Sequence, residues 1–125
     1  MTLDTRRKIV SIDELRRHIA RGEWVAVAGL FDPLTVTQAR RLAELPRKGR
    51  KVLAVVLEDD ETLLPAEARA ELIAALSAVD VVAIADGVQW RSQLETRGVE
   101  IIEDFRAEKQ RSAEFVKLIL ERQQA

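Results

Sequence analysis

The sequence predicts an α/β domain in which a parallel sheet is covered by helices on both faces. Two observations carry the prediction. Three segments, "WVAVA" at Trp24 to Ala28, "VLAVVL" at Val52 to Leu57 and "VVAIA" at Val81 to Ala85, are apolar at consecutive rather than alternate positions, as strands buried on two sides must be. Helical segments separate them, giving the order β-α-β-α-β. Right-handed crossovers then wind a doubly wound, Rossmann-like parallel sheet of about four strands flanked by helices. The 125 residues fit one domain, large enough to bury roughly two-thirds of its unfolded surface without a disulfide or metal staple.

Each element has a local cause. Ser11 and Glu14 form a capping box. Ile12, Leu15 and Ile19 follow at helical spacing, and Gly22 stands where the helix should stop, which predicts a helix over about 12–21. The first apolar strand ends in the turn "GLFDPL", and Thr35 to Leu45 is helical, with Asp32 or Thr35 as its cap and Pro46 as its stop. The second strand runs into the acidic loop "EDDETLLP". Pro65 then opens a helix from Ala66 to Ser77. The third strand is followed by a helix near Val88 to Thr96, closed by Gly98, and by a short strand from Val99 to Ile102. A last amphipathic helix covers about Ser112 to Arg122, with Phe115, Val116, Ile119 and Leu120 on its packing side. Its apolar residues extend to more than one face, as expected of a helix that covers the sheet and also meets a second copy in a homodimer.

Composition narrows the function classes. Twenty basic against twenty-one acidic residues give a formal charge of -1, which supplies no general field for DNA, RNA or anionic lipid. With aromatic residues at 4%, a base-stacking platform is not expected either. The chain has no cysteine and one histidine, His18, so it offers no thiolate nucleophile and no zinc site, and it suits a reducing cytoplasm. The longest apolar run, "WVAVAGLF", is far short of the roughly 20 residues that a membrane span needs. Neither a nucleic acid nor a membrane is an expected partner.

In a doubly wound sheet, ligands bind at the carboxyl ends of the strands. The loops there carry acids: Asp32 after the first strand, Glu58, Asp59, Asp60 and Glu61 after the second, Asp86 after the third, and Glu103 and Asp104 after the fourth. Parallel strands would gather them on one rim, where a triphosphate would be opposed unless Mg²⁺ or the nearby Arg106, Lys109 and Arg111 intervened. The turn "GLFDPLT" reads either as a phosphate-binding entry to a helix N-terminus or as a plain capped turn. The "EDD" run reads as a receiver-like metal pocket or as a solvated loop before a helix, and the receiver pattern of an acidic pair after strand one is missing. His18 reads as a surface residue, and Trp24 and Trp90 as packing residues. Ser112 reads as a phosphate donor or as a helix cap.

These segments together resemble the cytidylyltransferase-like nucleotidylyltransferases, most closely the nucleotidylyltransferase domain of bifunctional ADP-heptose synthases. "KIVSIDELRRHIARGEWVAVAGLFDPL" is similar to that family's opening helix, first strand and G-x-F-D-x-L turn, with Gly29, Phe31, Asp32 and Leu34 in place. "LPAEARAELIAALSAVDVVAIAD" is similar to a later helix and strand, with Pro65, Arg69, Leu76, Val79, Asp80 and Val82 matching. The resemblance implies a nucleotide site formed by Gly29, Phe31, Asp32, Thr35, Gln38 and Ser112.

The family's phosphate-binding H-x-G-H motif is replaced: Thr35 and Gln38 stand at the histidine positions and Thr37 at the glycine. Its S-T-T signature is reduced to Ser112, Ala113, Glu114, and its lysine-glycine segment has no counterpart. Nucleotidyl transfer relies on cationic and donor groups placed where phosphate charge develops, and one such donor is worth on the order of 3 to 4 kcal/mol. The expectation is therefore a degenerate domain with no catalytic residue, which binds a nucleotide or a protein. The alternative is an active, divergent adenylyl- or cytidylyltransferase that uses ATP or CTP with Mg²⁺ on a sugar phosphate or alcohol phosphate. A third reading has no nucleotide at all and sets the acidic rim against a basic partner.

Overall fold

The computed structural model describes residues 4–19, 23–87, 89–103 and 118–122. A five-stranded, all-parallel sheet forms among them: β1 (Ile9–Val10), β2 (Trp24–Gly29), β3 (Lys51–Leu57), β4 (Val81–Ala85) and β5 (Glu100–Glu103), in the spatial order β1-β4-β3-β2-β5. The helices α1 (Ile12–Ile19), α2 (Val36–Glu44), α3 (Ala66–Ala74) and α4 (Gln89–Thr96) alternate with the strands. Because crossovers are right-handed, the steps β2 to β3 to β4 in one direction put α2 and α3 on one face. The steps β1 to β2 and β4 to β5 in the other direction put α1 and α4 on the opposite face.

Two cores result, and the strand side chains alternate between them. Trp24, Ala26, Ala28, Leu53, Val55, Val81, Ala83 and Ala85 meet Leu15 and Ile19 of α1 and Trp90 and Leu94 of α4. Val25, Val52, Ala54, Val56 and Val82 meet Leu42 of α2 and Ala70, Ile73 and Ala74 of α3. Burial of successive residues from Val52 to Val56 is complete, which is why these strands read as continuous apolar runs. Trp24 and Trp90 are both core residues, and His18 is exposed on α1.

The sheet has one strand more than the four expected. β1 is two residues long and carries no periodicity of its own; its register is set from outside, by pairing of Ile9 with Val82 and Val10 with Ala83. Lys8 Nζ secures this segment by donating to the carbonyls of Leu76 (3.0 Å) and Val79 (2.9 Å). Other boundaries shift slightly. Thr35 is the cap of α2 rather than its first residue, α3 ends at Ala74 rather than Ser77, and β5 runs from Glu100 to Glu103. Ser11 Oγ accepts from Glu14 N (3.1 Å), as the capping pattern predicts, whereas the expected stop at Gly22 lies outside the described residues. Of the last predicted helix, residues 118–122 are described and helical, with Leu118, Ile119 and Leu120 all exposed. Asp80 acts at the amino end of the sheet, where its Oδ2 accepts from Val52 N at 2.8 Å near the start of β3.

Candidate functional site

The chain leaves β2 toward β3 on one side, while β5 lies against β2 on the other. The strand order therefore reverses at the carboxyl ends of β2 and β5, the place where a doubly wound sheet opens a crevice. The loop after β2, Leu30 to Thr35, forms one wall.

The structure brings five of the six sequence-predicted residues into this one turn. Gly29 ends β2 and is buried. Phe31, at 2% exposure, points into the core beside α2 and α3, and its backbone is left-handed (φ 51°), an uncommon conformation for a non-glycine residue. The Asp32–Pro33 peptide bond is cis. Asp32 is turned toward another loop: its carboxylate accepts from Leu63 N (2.5 Å) and Leu64 N (2.8 Å).

Thr35 and Gln38 bond to each other's backbone. Thr35 Oγ1 accepts from Gln38 N (3.1 Å), and Gln38 Oε1 accepts from Thr35 N (3.0 Å), a reciprocal capping box at the start of α2. The box satisfies the Gln38 amide, one of the first-turn donors of α2 that a helix N-terminus offers an anion, and the cap residue's own amide. Gln38 is 8% exposed, with its amide held in place. Ser112, the sixth residue, lies outside the described residues, as do Asp104, Arg106, Lys109 and Arg111.

Arg69 was read from sequence only as a matching position, and the structure makes it the centre of the rim. A helical side chain leans toward the N-terminus of its helix, so Arg69 on α3 reaches back under the carboxyl ends of the strands. Its guanidinium is 1% exposed and donates from Nη1 to Leu30 O (2.8 Å) and Leu57 O (2.8 Å), and from Nε to Leu64 O (3.0 Å). One cation thus joins the ends of β2 and β3 and the loop before α3. Its Nε and Nη1 donors are committed to these carbonyl groups. The only sequence signal was an arginine in the first turns of a helix preceded by Pro65; its three acceptors lie 5, 12 and 39 residues away.

Above this clamp the surface is acidic. Glu58, Asp59, Asp60, Glu61 and Asp86 line an open groove of about 470 Å³. Two like charges 4 Å apart repel by about 4 kcal/mol at the effective dielectric of a protein surface, so this groove disfavours a polyphosphate. Among the described residues no three histidines or carboxylates are placed to hold a metal ion together. Glu103, at the end of β5, is paired with Arg91 of α4. At the opposite end of the sheet, Arg50 Nη1 sits 2.6 Å from Glu100 and holds that carboxyl below its ordinary pKa, first through this hydrogen bond and then through its charge.

Among the described residues no helix is long and apolar enough to cross a membrane. Neither a protein-family model nor a curated protein matches the chain.

Proposed function

We propose that this chain is a nucleotidylyltransferase-like domain without transferase chemistry, acting as a binding module whose acidic rim receives a basic protein surface. One observation carries the reading. At the positions that match the family's two phosphate-binding histidines, Thr35 and Gln38 bond to each other's backbone, so both side chains serve the helix cap. A groove at the carboxyl ends of β3 and β4 is lined by Glu58, Asp59, Asp60, Glu61 and Asp86, an acidic surface that favours a cationic partner over a nucleoside triphosphate. The buried Arg69 spends its Nε and Nη1 donors on Leu30, Leu57 and Leu64.

The test is a thermal-unfolding titration with ATP, CTP and ADP-sugars, with and without Mg²⁺, beside a pyrophosphate-release assay on sugar and alcohol phosphates. A nucleotide at 100 times its Kd would add about 2.7 kcal/mol to the folded state, a displacement of several degrees. A flat response at millimolar nucleotide and no pyrophosphate are the expected results. A rise in midpoint alone would favour a nucleotide-binding module, and turnover would favour the divergent transferase. For the protein partner, association should weaken steeply with ionic strength, since surface charge pairing is screened over about 10 Å at 0.1 M salt.

A further inference from the structure

We propose that this chain forms a two-fold homodimer in which the helix at 118–122 of each copy covers the open sheet face beside β5 of the other. Register defines that face. Ile102 is paired with Val27 of β2 and so points to the same side of the sheet, the side that carries α2 and α3. The crossovers lay α2 over β2 and β3 and α3 over β3 and β4, so among the described residues no helix covers the edge strand β5 on this side. Burial along the face follows. Val25, Val52, Val56 and Val82 are fully buried, Val27 is half-buried and Ile102 is 36% exposed. Ile101, facing the other way, packs against the core under α1 and α4. Glu100 shares the side of Ile102, and Arg50 meets its charge at 2.6 Å, so an apolar segment arriving there meets no unpaired carboxylate on β5.

The other half of the contact is on the same chain. Leu118, Ile119 and Leu120 are helical and 41% to 53% exposed. At 3.6 residues per turn, three successive side chains span about 200° of the helix surface, twice the roughly 100° stripe that a surface helix buries against one face. One flat surface cannot hide all three. A two-fold dimer gives the helix two surfaces, the sheet face of the second copy and that copy's own helix. A second copy is the occupant both halves select, because each chain supplies one open apolar face and one open apolar helix, and the contact is made twice. The helix does not cover its own sheet, since both Ile102 and Leu118 to Leu120 remain exposed. A formal charge of -1 sets little long-range repulsion between copies. The contact uses no residue of the acidic groove and does not rest on what that groove receives.

The chain has no cysteine, so introduced thiols report the contact without background. When full-length Ile102→Cys is mixed with a tagged Ile119→Cys chain, a short thiol cross-linker should join one to the other. Sedimentation of the unaltered chain should show a two-chain species whose fraction grows with concentration. Ile119→Glu places a charge in the contact but not in the core of a single chain. Its circular dichroism spectrum should therefore be unchanged, while the dimer dissociation constant rises at least about thirtyfold, as for loss of an interface anchor. A single chain at every concentration would overturn the dimer. Absence of a link between the mixed variants would overturn the proposal, and closure within one chain in Ile102→Cys/Ile119→Cys would then place the helix on its own sheet. A dimer left intact by Ile119→Glu would overturn the surface assigned to it.

Discussion

Arg69→Met tests how the rim is held together. The native side chain is 1% exposed, and its three acceptors are carbonyl groups of Leu30, Leu57 and Leu64. Methionine keeps much of the apolar stem and removes every donor, so each carbonyl loses one bond. The bond to Leu30 is fully buried and the other two are part-buried, so water can relieve the latter in part. At about 1 kcal/mol for each orphaned acceptor, the low end of the range, the loss is about 3 kcal/mol. Removing a buried guanidinium returns some of its desolvation cost, leaving about 2 to 3 kcal/mol. For a domain of this size that lowers the thermal midpoint by roughly 6 to 10 °C.

Urea unfolding followed by circular dichroism measures this difference, provided the slope with denaturant is unchanged. Arg69→Lys is the control. It keeps the charge but not the planar fork, so it should recover less than half of the loss. An Arg69→Met protein within about 0.5 kcal/mol of wild type would refute the reasoning, since that is the range of a neutral surface change.

Three further outcomes follow from other contacts. Thr35→Ala should cost about 1 kcal/mol by urea unfolding, and Thr35→Ala/Gln38→Ala should cost less than the sum of the single changes, because both remove one reciprocal box; strict additivity would mean the box is not a unit. Gly98→Ala should cost about 1 kcal/mol, since Gly98 has φ +76° and a methyl group there would meet nothing within 4 Å, so the penalty is purely conformational; an unchanged urea midpoint would contradict it. Glu100 has its pKa lowered from 4.5 by Arg50, so its contribution is present above that value and fades as pH falls through the lowered one. The difference in urea midpoint between wild type and Glu100→Gln should therefore be small at neutral pH, as for any exposed pair, and should vanish in acid.

The sequence by itself determined the elements whose cause is local. Continuous apolar runs made β2, β3 and β4 recognisable because a strand buried on both faces has no polar side to show. The α2 cap was legible as a choice between Asp32 and Thr35; the structure takes Thr35, with Gln38 three residues on completing a reciprocal box that the sequence reading did not single out. The acidic rim was legible too, since parallel strands place their exit loops on one edge, and Glu58 to Glu61 do share a groove with Asp86.

What only the tertiary structure decided is how those loops are tied. β1 exists because β4 provides the partners for Ile9 and Val10; two residues cannot declare a strand alone. Asp32 appeared as one more acid of the rim, yet its charge is used on Leu63 and Leu64, more than 30 residues away. Arg69 appeared as a helix residue, yet it joins three chain segments from beneath. Periodicity and capping act within a few residues and can be read along the chain, whereas the acceptors of a buried polar group are chosen by whichever strand ends the folded sheet brings within 3 Å.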